Sequence, residues 1–148
     1  MKKLLVLLFI SLSSCGYQTL YTGDNKDGFI FKDITTIGNK NINKKIISTL
    51  NLQKNKSNEK LNEIILESSK NIDEISKDKK GRTSSYRTIL NVNLKIIDEG
   101  NLVKEKTFKE DFSYNNMDNK FDLKIYQNDV ENNLTKKIVD QIIIFLKL

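Results

Sequence analysis

Residues 86–97 read YRTILNVNLKII, and their alternation is the strongest structural signal in the chain. Tyr86, Thr88, Leu90, Val92, Leu94 and Ile96 share one parity, with Arg87, Asn91, Asn93 and Lys95 between them and Ile89 and Ile97 as exceptions. Side chains of a strand alternate between its two faces, so this pattern predicts a half-buried strand, apolar inward and polar outward. Burying the apolar face is worth roughly 10 kcal/mol gross, at about 1.5–3 kcal/mol per side chain, as an upper bound.

Working outward, Asp98-Glu99-Gly100-Asn101 supplies the turn chemistry of a hairpin. The returning strand carries Leu102, Phe108, Phe112 and Tyr114 on one parity, interrupted by Lys104, Lys106 and Glu110. From Lys120 to Lys147, apolar residues recur every three or four positions from Leu123 through Tyr126, Val130, Leu134, Ile138 and Ile142 to Phe145. Neither Gly nor Pro interrupts them, which predicts a long amphipathic helix with Asp118 or Asn119 as its cap.

Upstream, Lys77–Arg82 (KDKKGR) reads as a basic turn, preceded by a weaker strand over Leu61–Lys77. In that strand Ile64, Leu66 and Ile72 share one face, while Ile65 and Ile75 take the other. Asn55–Asn58 is a break. Ile42, Ile46, Ile47 and Leu50 stand at helical spacing over Asn41 to about Lys54, and Phe29–Ile34 reads as a first strand. The order is β-α-β-β-β-α. The expected fold class is α+β: a two-layer sandwich with two helices packed on one face of a four-stranded mixed sheet, in a single domain over 29–148.

Composition excludes more than it selects. The chain has 148 residues, no histidine, no proline and one cysteine, enough for one domain with a modest core. Without histidine there is no Ser-His-Asp triad, no Cys-His pair and no imidazole metal site. Gly38 and Gly81 are isolated, so no glycine loop cradles phosphate. Carboxylates are scattered among lysines rather than paired. The expectation is a non-enzymatic protein without cofactor or metal. A hydrolase would lack a nucleophile–base pair. The formal charge is +6, spread along the chain without a stacking platform of tyrosines, which argues against a nucleic-acid partner.

The start of the chain is MKKLLVLLFISLSSCGYQTLY. Lys2 and Lys3 precede an apolar run over Leu4–Ile10 that is too short to span a bilayer, the layout of a secretory leader. Leu12-Ser13-Ser14-Cys15 resembles the bacterial lipobox. That resemblance implies a signal peptide over 1–14, a diacylglyceryl group on the Cys15 sulfur, acylation of the new amine with a chain such as palmitate, and a lipidated tether over 15–28. It also accounts for a lone thiol in an oxidising compartment, where an unpaired cysteine is a liability. Two or three acyl chains, at about 0.8 kcal/mol per buried CH₂, hold a protein at a membrane almost permanently. Gly16 stands where such signals often carry an aspartate for inner-membrane retention, so the expectation is the outer membrane, facing the periplasm.

Taken together, the lipobox, Cys15-Gly16-Tyr17-Gln18, Leu20-Tyr21, the Gly81-Arg82-Thr83-Ser84-Ser85-Tyr86 opening of the long strand and the Phe112-Ser113-Tyr114-Asn115 close of the next resemble the lipopolysaccharide-assembly lipoprotein family, LptE. The likeness runs through essentially the whole mature chain, and its order and spacing carry more weight than its short motifs. It implies a plug inside the large outer-membrane β-barrel LptD that helps the barrel assemble and helps deliver lipopolysaccharide to the outer leaflet. It also implies lipopolysaccharide contact through basic residues near strand ends. By position these are Lys79, Lys80 and Arg82, with Lys120 and Lys124 as weaker candidates, acting as charge-assisted donors to lipid A phosphates. A solvated basic turn is the competing reading. So is an auxiliary lipoprotein of an ABC-type lipid or solute transport system, distinguished by an inner-membrane transporter as its partner.

Overall fold

The computed structural model describes residues 28–148, so the signal peptide, Cys15 and nearly all of the tether read over 15–28 lie outside the described residues. In chain order the elements are β1 (Phe29–Phe31), β2 (Ile34–Gly38), α1 (Lys40–Thr49), β3 (Leu52–Lys54), β4 (Glu63–Lys77), β5 (Thr83–Asp98), β6 (Asn101–Asn115) and α2 (Lys120–Lys147). The fold is α+β, with two helices and a four-stranded mixed sheet in the order β2-β4-β5-β6. β2 runs parallel to β4, which α1 makes possible as a crossover, and β4, β5 and β6 form an antiparallel meander.

The alternation of YRTILNVNLKII is realised in β5: Thr88, Leu90, Val92, Leu94 and Ile96 are buried. Across the sheet, Ile64 pairs with Ile96, Leu66 with Leu94 and Ser68 with Val92, while Phe108 meets Val92 from the other side. α1 rests against β2 and β4, and α2 against β5 and β6, so these residues form one core with Ile42, Ile46, Leu134, Ile138 and Ile142. Tyr114 stacks on Tyr86, meets Tyr126 edge-on and shares a hydrogen bond with Thr88 at 3.1 Å. That bond gives a buried phenol its polar partner.

Three expectations are corrected. The single first strand expected over Phe29–Ile34 is replaced by β1, which stays outside the main sheet, and β2, which starts only at Ile34 and runs on to Gly38. Asp33 divides them: its carboxylate accepts the Ile34 amide at 2.6 Å and pairs with Lys54, turning the chain between sheets. The helix expected to run to about Lys54 stops at Thr49. Asn51 takes the left-handed conformation, φ 49°, which asparagine tolerates and which ends helices. Leu52–Lys54 then pairs in parallel with β1 as a separate two-stranded sheet. Thirdly, Leu102 does not share the face of Phe108. A bulge lets Ile96 pair with Lys104 while Ile97 pairs with Leu102, with Val103 as the extra residue. One inserted residue flips the strand's faces, so Leu102 lies on the open side of the sheet.

Two local devices hold the ends of these elements. At the hairpin, Glu99 (φ 47°) and Gly100 (φ 81°) both take the left-handed region, the geometry of a two-residue type I′ turn. Asn119 caps α2 by accepting the Phe121 amide at 2.9 Å, and the helix then runs over the predicted range. Among the described residues no helix is long and apolar enough to cross a membrane.

Candidate functional site

Topology places the β4–β5 turn, the end of β6 and the start of α2 at one end of the molecule, around a cleft of about 560 Å³. Arg82, Thr83, Tyr86, Asn116 and Lys120 line it. The turn is built on Asp78, whose carboxylate accepts the Lys80 amide at 2.8 Å and the Arg82 amide at 2.9 Å. The Arg82 guanidinium returns to the same carboxylate at 2.8 Å. The Arg82 amide, together with its guanidinium and the Lys80 amide, holds the Asp78 carboxyl below its ordinary range against the opposing effect of desolvation. On the far wall, the Asn116 amide donates to the Thr83 carbonyl at 2.7 Å, and Lys120 reaches Asn116 at 3.4 Å.

Of the residues read from the sequence, the structure brings Arg82 and Lys120 into this one cleft. Asp78 and Asp118 also line it, so its formal charge is balanced and a bound anion would compete with Asp78 for Arg82. Lys79 and Lys80 lie on the outside of the turn, exposed, without an ion-pair partner among the described residues. Lys124 belongs elsewhere. Cys15 lies outside the described residues.

Lys124 lines a second pocket, of about 600 Å³, between α1, β4 and α2. Lys44 and Lys45 from α1 and Lys70 from β4 converge there around Glu131 of α2. Glu131 is only 7 % exposed. Each of its oxygens takes one ammonium, Lys45 at 2.9 Å and Lys70 at 2.5 Å, and Lys45 also donates to Asn132 at 2.6 Å. Burial pushes the Glu131 carboxyl up, but hydrogen bonds from Lys70 and Lys45 outweigh it and hold the group below its ordinary value. Lys44 and Lys124 have no ion-pair partner among the described residues. Sequence reasoning missed Lys44, Lys45 and Lys70. One signal was available: Glu131 interrupts the buried stripe of α2, and a buried carboxylate calls for cations.

The sheet face away from the helices is largely polar. Arg87, Asn91, Asn93 and Lys95 stand on it with Glu67, Asn71, Glu105 and Asp111. Cross-strand bonds tie them together: Asn93 donates to Glu105 at 2.9 Å, and Lys95 approaches Glu105 at 3.4 Å. These hold the Glu105 carboxyl below its ordinary range, Asn93 contributing most. Ile37, Leu102 and the half-buried Ile65, Ile89 and Ile97 are its apolar exceptions.

No protein-family model matches this sequence, and no curated protein matches it. Solved structures do match the fold. Rare lipoprotein B from Shewanella oneidensis superposes with a TM-score of 0.56 at 10% identity, covering 78% of this chain and 99% of that one. A minor lipoprotein from Acinetobacter baumannii superposes with a TM-score of 0.52 at 16% identity, covering 77% of this chain and 92% of that one. This chain has a fold that bacterial lipoproteins share.

Proposed function

We propose that this chain is a lipid-anchored outer-membrane protein of the LptE kind. On this reading it is a non-enzymatic plug, without cofactor, that helps the LptD barrel assemble and helps deliver lipopolysaccharide to the outer leaflet. The observation that carries the reading is the coincidence of the lipobox-like Leu12-Ser13-Ser14-Cys15 with a fold shared by lipoproteins. The polar sheet face supports it, because the lumen of a large barrel is itself polar. Lipopolysaccharide contact falls to the exposed Lys79 and Lys80, with Arg82 and Lys120 beside them at the cleft.

Affinity purification of the full chain from detergent-solubilised envelopes tests the reading. The expected result is a large outer-membrane barrel in near-equal amount, with Cys15 carrying acyl chains by mass spectrometry. Recovery of an inner-membrane transporter, or of no barrel, overturns it.

A further inference from the structure

The pocket between α1, β4 and α2 has a charge that the fold itself does not use up. Four lysines from three elements face one carboxylate, and no other acidic residue lines the pocket, an excess of three positive charges. Gathering like charges costs free energy, and attraction to a single buried Glu131 accounts for only two of the four amines. Lys44 and Lys124 stand on opposite walls, on α1 and α2. The remaining polar lining is amide: Asn41, Asn128 and Asn132.

We propose that this pocket is an anion-binding site for a phosphate group. The amount of charge selects the ligand class. An excess of three positive charges is better matched by a dianion than by a single carboxylate, and lysine ammonium groups bind phosphate as point charges. Lys44 and Lys124 grip the phosphate from opposite walls. Lys45 and Lys70 stay anchored on Glu131 and contribute field rather than new bonds. Glu131 is the positioning residue: it holds two lysine stems in place before the ligand arrives, which lowers the ordering cost of binding. A dianion brings the pocket close to neutrality, and about 600 Å³ leaves space for the group that carries the phosphate. The site lies in the helix layer, distinct from the β4–β5 turn, and needs neither barrel nor lipopolysaccharide.

The test is titration of the full chain, in a neutral detergent, with pyrophosphate and separately with mixed micelles containing phosphatidylglycerol or phosphatidylcholine. The Asn128 and Asn132 side-chain amides serve as nuclear magnetic resonance reporters. Saturable shifts with pyrophosphate identify a free phosphate ligand, and shifts with phosphatidylglycerol micelles alone identify a lipid headgroup. In either case Lys44→Glu with Lys124→Glu weakens binding at least tenfold, and the milder Lys44→Gln with Lys124→Gln weakens it less. Both variants keep a single cooperative melting transition, because neither lysine bonds Glu131. Lys79→Glu with Lys80→Glu leaves these shifts intact. No shift with either probe, or shifts indifferent to Lys44 and Lys124, overturns the proposal.

Discussion

Lys70 on β4 and Glu131 on α2 meet at 2.5 Å across 61 positions of sequence, joining the sheet to the polar flank of the long helix. Lys45 completes the bridge from α1 at 2.9 Å. One carboxylate therefore ties three elements together. Such a centre adds little net stability against an apolar replacement, yet leaves unpaired charge when half of it is removed.

Glu131→Gln should destabilise the chain by about 1–3 kcal/mol, less than for a fully buried pair because both lysines reach solvent. Urea unfolding checks this: the midpoint should fall while the slope stays constant. Lys45→Met and Lys70→Met together with Glu131→Met should recover most of the loss, since no charge is then left unpaired.

The same carboxylate gives an acid signature. Glu131 is held below its ordinary value of 4.5, so the unfolded chain binds its proton more readily. Stability then rises with pH across that interval. The contribution is complete above the ordinary value and is lost as pH falls from 4.5 through the depressed folded value. Asp78 and Glu105, also lowered, act in the same direction. Melting temperature should drop on acidification in this window, and the Glu131→Gln chain should show a shallower drop.

Gly38 closes β2 at φ 86°, where an added Cβ would stand 2.0 Å from the Ser68 carbonyl oxygen. That carbonyl also accepts the Asn39 amide at 2.9 Å, which ties the start of α1 to β4. Gly38→Ala should therefore cost more than about 2 kcal/mol, combining left-handed strain with a backbone clash. Thermal melts should show it directly, and a near-neutral result would contradict this close approach.

At the β5–β6 hairpin the strain runs the other way. Glu99 occupies a left-handed position that asparagine accepts more readily, followed by Gly100. Glu99→Asn should stabilise the chain by about 0.5 kcal/mol. A raised urea midpoint is the expected reading.

For lipopolysaccharide contact, Lys79 and Lys80 should dominate over Arg82, whose guanidinium is already committed to Asp78 at 2.8 Å. Lys79→Glu with Lys80→Glu should weaken binding severalfold in a pull-down, and Arg82→Gln should weaken it less. An equal loss from Arg82→Gln alone would show that the guanidinium leaves Asp78 to meet the ligand.

The amphipathic run of α2 and the alternation of β5 were legible because each is a repeat within one element. The ends of α1 and the split of the first strand were not. Both depend on single polar side chains, Asn51 and Asp33, whose conformations are settled by what lies beside them. Leu102 was misplaced because a bulge adds one residue to one strand only, and parity counted along that strand alone does not register it. Of the candidate cations, Arg82 and Lys120 line one cleft and Lys124 another, and the acidic neighbours Asp78 and Asp118 went uncounted.

The amino-acid order alone was enough for the α+β class, the three long strands of the meander and the long helix, since periodicity and turn residues are local properties. The partnership of Lys44, Lys45, Lys70 and Lys124 with Glu131 is not local. It arises when the β2–α1–β4 crossover sets α1 beside β4 and the return of α2 across the meander brings its polar flank against both. Charge separated along a chain interacts weakly through water; only packing shortens those distances enough for the same residues to form a site.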